Sequence, residues 1–178
     1  MLEIDNTGLI LVDVQGKLAD QMVDAPQLFQ RLRTLISGAD LLQIPIVWLE
    51  QLPEKLGETR EEIRDLLTGK PLIKKTFSGL DDRDIVARIQ QYERSHWLVA
   101  GIEAHICVYQ TAAQLLEQNY QVQLVTDAVS SRTEANRNLA IGTLETLGAQ
   151  LTSVEMALFE LQRIAEGERF KQLIKLIK

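Results

Sequence analysis

The 178-residue chain contains one cysteine, Cys107, at a position where a thiol can do chemistry. Trp97, Leu98, Val99 and Ala100 form a short apolar run that stops at Gly101. From Ile106 the spacing turns helical, through Tyr109 or Gln110, Ala113 and Leu116. A thiol between a buried strand and the first turn of a helix lies where open α/β sheets hold their ligands. First-turn amides and the helix dipole favour the thiolate, so the expected chemistry is nucleophilic. Two charged residues occupy matching positions: Asp13 ends the apolar run 9–12, and Lys74 follows the short run 71–73. If these runs are parallel strands, their carboxyl ends share one sheet edge and the three groups can converge. A carboxylate there can take the thiol proton, and an ammonium stabilises both anions. The Cys107 amide can donate to a tetrahedral oxyanion. Each residue also has a plainer role, Cys107 as a small buried hydrophobe and Asp13 as the start of a turn.

The elements that must position these groups alternate along the chain. Strands are expected at 9–12, 44–49, 71–73, 96–101, 120–126 and 149–152, with Pro45 tolerable only at a strand start. Residues 50–57 read as a loop broken by Pro53 and Gly57. Helices are expected at 25–42, 58–67, 81–92, 105–118, 133–147, 154–164 and 168–177. The helix at 25–42 carries Pro26 in its first turn and one apolar stripe through Leu28, Leu32, Leu35, Ile36 and Ala39. Strand runs without polar alternation are covered on both faces. The pattern predicts a three-layer α/β/α domain over residues 1–178, with a doubly wound, six-stranded parallel sheet of Rossmann-like type.

Composition narrows the function class. The net charge of −6 argues against nucleic acid as a partner. No apolar run reaches the roughly 20 residues of a membrane helix, and the lysines of the C-terminal KQLIKLIK suit a docking helix with a solvated face better than an anchor. A single cysteine allows no internal disulfide, which fits a reducing compartment. The first residues lack the pattern of a secretory leader. The expectation is a cytoplasmic protein with a small-molecule substrate.

Six segments together resemble the isochorismatase-like cysteine hydrolase superfamily, most nearly its isochorismatase domain-containing subgroup. They are LILVDVQGKL (9–18), EQLPEKLGET (50–59), KKTFSGL (74–80), VAGIEAHICVYQTA (99–112), VTDAVSSRT (125–133) and the stretch 156–178. The resemblance implies a catalytic triad of Asp13 as general base, Lys74 and Cys107 as nucleophile. Lys74 is selected over Lys75 because the family lysine stands three residues before an aromatic followed by serine, here Phe77 and Ser78. The resemblance also implies a cis peptide between Ile102 and Glu103, turning the Glu103 amide toward the oxyanion beside that of Cys107. Many relatives carry threonine where this chain has Ala104.

Gln15, Gln51 and Phe77 are expected to line the substrate pocket, with backbone-satisfying or core roles as their alternatives. Nicotinamidases of the superfamily bind zinc after the second strand, whereas this chain has Trp48, Leu49, Glu50 and Gln51 there. Its two histidines, His96 and His105, lack partner ligands. No metal and no cofactor are expected. Arg132 and Glu134 are read as structural or subunit contacts. The implied reaction is hydrolysis of a small amide or carbamoyl compound through a thioester-type intermediate. A non-catalytic scaffold is the alternative, and a homo-oligomer is expected from the family.

Overall fold

A computed structural model describes residues 1–178. Six parallel strands form one sheet: β1 (Thr7–Val12), β2 (Ile46–Gln51), β3 (Leu72–Lys74), β4 (His96–Ile102), β5 (Gln121–Ser130) and β6 (Gln150–Thr152), in the spatial order β3-β2-β1-β4-β5-β6. The helices are α1 (Gly16–Ala19), α2 (Ala25–Leu41), α3 (Pro53–Leu56), α4 (Glu61–Arg64), α5 (Arg83–Gln91), α6 (Tyr109–Glu117), α7 (Glu134–Thr146), α8 (Val154–Gln162) and α9 (Gly167–Ile177). The order reverses between β1 and β4. That switch point opens a crevice beyond the strands' carboxyl ends.

The apolar strand runs are buried on both sides, as their lack of alternation requires. Leu9 and Leu11 of β1 face a core shared with α2, α8 and α9, whereas Ile10 and Val12 face a second core containing residues of α5, α6 and α7. Helix starts follow side-chain chemistry. Asp82 accepts from the amides of Asp84 and Ile85 to begin α5, Thr133 from that of Asn136 to begin α7, and Ser153 from that of Met156 to begin α8.

Three expectations are corrected. The helix expected over 58–67 shrinks to the single turn α4, and a further turn, α3, forms inside the expected loop 50–57. Gly57 and Gly16 force this tight path, because a Cβ on Gly16 would lie 2.1 Å from the Leu56 carbonyl oxygen. The helix expected from 105 begins instead as a π turn over Ala104–Val108. Finally, β5 continues to Ser130, because after a register shift Gly101 and Ile102 of β4 pair with Val129 and Ser130.

Gly101 controls how closely β4 and β1 approach at the switch point. Its φ is +120°, and a Cβ there would sit 2.0 Å from the Val12 carbonyl oxygen, immediately before Asp13. Gly101→Ala combines an unfavourable backbone conformation with a backbone clash. Its expected cost is about 3 kcal/mol or more in urea unfolding; a loss below about 1 kcal/mol would contradict this account of the switch point.

Candidate active site

Each strand that ends at the crevice delivers one group. Asp13 follows β1 directly and adopts φ +49°, which an aspartate tolerates better than most residues. Its amide donates to the Leu49 carbonyl at 3.2 Å, fixing it against the end of β2. Lys74 is the last residue of β3 and pairs in register with Gln51 of β2. Cys107 sits in the π turn after β4. Asp13, Lys74 and Cys107 are 4%, 0% and 5% exposed.

Lys74 Nζ donates to Asp13 Oδ2 at 2.6 Å and to the carbonyl oxygens of Thr76 and Phe77, each at 3.1 Å. An ammonium has three donors, and all three are used. Lys74 is therefore a fixed buried cation whose hydrogen bonds go to the carboxylate and its own loop. The other carboxylate oxygen, Asp13 Oδ1, is buried with no hydrogen-bond partner. Burial raises the Asp13 pKa, the Lys74 charge opposes that rise, and the nearby Glu50 charge adds to it. A carboxylate tuned upward, with one oxygen free, suits a proton acceptor.

The surroundings of Cys107 oppose its thiolate form. The Cys107 S–H donates to Gln51 Oε1 at 3.7 Å. Its pKa is pushed up to about 12, mainly by burial and next by the negative charge of Asp13, with Lys74 opposing. Burial and the Asp13 charge thus oppose the anion that the helix start was expected to favour.

The expected pocket residues divide. Gln15 is fully buried, and its carboxamide is spent on backbone, donating to the carbonyls of Gln51 and Gly57 and accepting from the Gln51 amide. It ties the residue before α1 to the end of β2 and to Gly57 after α3 and leaves nothing for a substrate, so the pocket role is corrected to a positioning one. Gln51 bridges the site, its Nε2 donating to the Thr76 carbonyl while Oε1 accepts a hydrogen bond from the thiol. The Phe77 side chain is 54% exposed, which removes the core-lid alternative.

The peptide between Ile102 and Glu103 is cis. The Glu103 amide has no acceptor within the protein. Ala104 is fully buried in the second core. His96 lies at the opposite, amino end of β4. No three His, Cys, Asp or Glu side chains gather in a metal-binding geometry. Two features escaped the sequence reading. Glu50 accepts from the amide and hydroxyl of Thr59, and Thr59 accepts from Trp48 Nε1. Glu103 and His105 are gripped by the segment after β5. The visible signal for the second was a cluster of polar residues after two neighbouring strands.

The isochorismatase domain matches residues 7–156. The chain is 36% identical over 176 residues to a secreted isochorismatase effector, Isc1, of Phytophthora sojae, covering 96% of this chain and 83% of the relative. It is 33% identical to human isochorismatase domain-containing protein 2, covering 96% and 82%. Among solved structures it resembles a MAR1 ribonuclease from Caenorhabditis elegans, at TM-score 0.91 and 33% identity, covering 99% and 91%. It also resembles the octameric hydrolase YcaC of Escherichia coli, at TM-score 0.93 and 20% identity, covering 98% and 89%.

The buried pair predicts an asymmetric mutational response. Lys74→Met strands the Asp13 charge and should cost about 3–5 kcal/mol in denaturant unfolding. Adding Asp13→Asn should restore at least roughly half of that loss. Additive losses in the double variant would refute the pairing.

Proposed function

Because the chain belongs to the isochorismatase family and is a hydrolase, we propose that it works through Asp13, Lys74 and Cys107 on a small amide or carbamoyl compound. The observation that carries this reading is the buried Lys74–Asp13 pair at 2.6 Å, which leaves a free carboxylate oxygen near the only thiol. In the proposed reaction the thiol proton passes to Asp13 Oδ1 as the Sγ–C bond forms. The carbonyl electron pair moves onto oxygen, where the amides of Glu103 and Cys107 donate to it. Asp13 then returns the proton to the leaving nitrogen as the C–N bond breaks, giving a thioester. Water, deprotonated by Asp13, attacks the thioester carbon; the Sγ–C bond breaks, and the sulfur recovers its proton. Lys74 holds Asp13 in place and favours its ionised form between the proton transfers. Gln51 releases the thiol as substrate enters, and Phe77 contributes an aromatic rim.

Homo-oligomerisation belongs to the same proposal, supported by octameric YcaC. The C-terminal helices are poorly placed for the interface, since α8 and α9 pack on α2 and bury Leu158, Leu161 and Leu173 in the first core. An uncharged face of α7 is more open, with Leu139 and Leu147 flanking Gly142. No helix is long and apolar enough to cross a membrane. Cytoplasmic residence is part of the proposal, although one relative is described as secreted.

The ribonuclease named among the relatives supplies a second reading. The net charge of −6 weighs against it, as does the full commitment of the Lys74 donors within the protein. A panel of small amides, carbamoyl compounds and single-stranded RNA separates the readings. Turnover of an amide or carbamoyl compound is expected, falling by about 100-fold or more in Asp13→Asn and to background in Cys107→Ala. RNA cleavage that survives Cys107→Ala would favour the second reading. No turnover of any compound would favour a scaffold.

A further inference from the structure

The segment after β5 makes contacts that the proposed chemistry does not use. In the sheet Ile102 pairs with Ser130, so Glu103 and Ser131 leave neighbouring strands side by side. Glu103 is 6% exposed. Its Oε1 accepts from both the backbone amide and Nε of Arg132, at 3.2 and 3.1 Å. Two residues later His105 is held from both sides, with Nδ1 2.9 Å from Ser131 Oγ and Nε2 3.3 Å from Asn136 Nδ2. An amide nitrogen only donates. Nε2 therefore accepts, and Nδ1 carries the proton and donates to Ser131.

The gripping segment is itself anchored. The Ser131 carbonyl accepts from the Val23 amide, Ser130 Oγ donates to the Val23 carbonyl, and Thr133 caps α7 through the Asn136 amide. A rigid segment thus holds the turn at residues 103 and 105. The same turn carries the acceptor-free Glu103 amide and, at 107, the nucleophile.

We infer that residues 131–136 form a positioning clamp for the oxyanion turn, in which Arg132 acts through Glu103, and Ser131 and Asn136 act through His105. This rests on the hydrolase reading above. None of the clamp residues touches a reacting atom. They aim the donors, and an oxyanion donor is effective only within a narrow range of geometry.

The test uses two probes of the same sulfur. Propanal adds reversibly: the Sγ–C bond forms, the carbonyl electron pair moves to oxygen, and the thiol proton passes through Asp13 to that oxygen. The new oxygen needs the aimed donors. Iodoacetamide alkylates the sulfur by direct displacement of iodide, and no oxyanion develops. Propanal affinity is read by its protection of Cys107 against iodoacetamide, with the adduct followed by mass spectrometry. Arg132→Ala and Asn136→Ala should each weaken propanal binding about 10-fold, while the iodoacetamide rate without propanal stays within about 2-fold. Arg132→Lys should recover part of the loss, and it carries the test with Asn136→Ala if Arg132→Ala does not fold. Undiminished propanal binding, or a parallel fall with both reagents, overturns the clamp. A wild-type protein that binds no propanal overturns both the clamp and the hydrolase reading; binding that is the same in wild type and variants overturns the clamp alone.

Discussion

The site depends on one contact between two charges withdrawn from water. Lys74 and Asp13 meet at 2.6 Å, with Lys74 fully buried and Asp13 nearly so. Taking either ion out of water alone costs several kcal/mol even after relaxation. The structure offsets this by completing the coordination of the ammonium with two carbonyls from the loop that follows it. That arrangement constrains much else. The edge strand β3 has to end at Lys74, β2 has to sit between it and β1, and Asp13 has to turn out of its strand with positive φ.

The pair also bears on how a buried, protonated thiol would act in the proposed reaction. Burial and the Asp13 charge hold Cys107 in its protonated form, and Gln51 accepts its hydrogen at rest. Asp13 keeps an oxygen without a partner. An unsatisfied buried oxygen is unfavourable in the resting protein, but it is the acceptor that proton transfer needs. In the proposed reaction this would delay thiolate formation until substrate is in place. Gln15 contributes at a distance by fixing the backbone of Gln51.

The placement of Asp13, Lys74 and Cys107 was legible in the sequence because each follows a short apolar run at or just beyond its carboxyl end. Parallel-sheet geometry gathers such ends at one edge, as β1, β3 and the turn after β4 demonstrate. The protonation state of Cys107 was not legible, because desolvation sums over a packed core built from all parts of the chain. Nor was the π turn, since its spacing still satisfies a helical pattern around Ile106 and Ala113. The short turns α3 and α4 hide for a related reason. Their path is set by contacts of Gly16 with Leu56 and of Gln15 with Gly57, which join residues about 40 positions apart. The grip of Arg132 on Glu103 required knowing that β5 extends to Ser130.

The most direct measurement is the ionisation of Cys107, followed by thiolate absorbance as pH is raised, in wild type and in Asp13→Asn. In wild type the thiol should stay protonated through pH 10, because burial and the neighbouring carboxylate both oppose its charge. Asp13→Asn removes a negative charge and leaves the Lys74 cation in place, so the thiol should ionise at distinctly lower pH. A wild-type thiol titrating at the ordinary value of about 8.5, unmoved by Asp13→Asn, would contradict a carboxylate poised to take the proton of that sulfur.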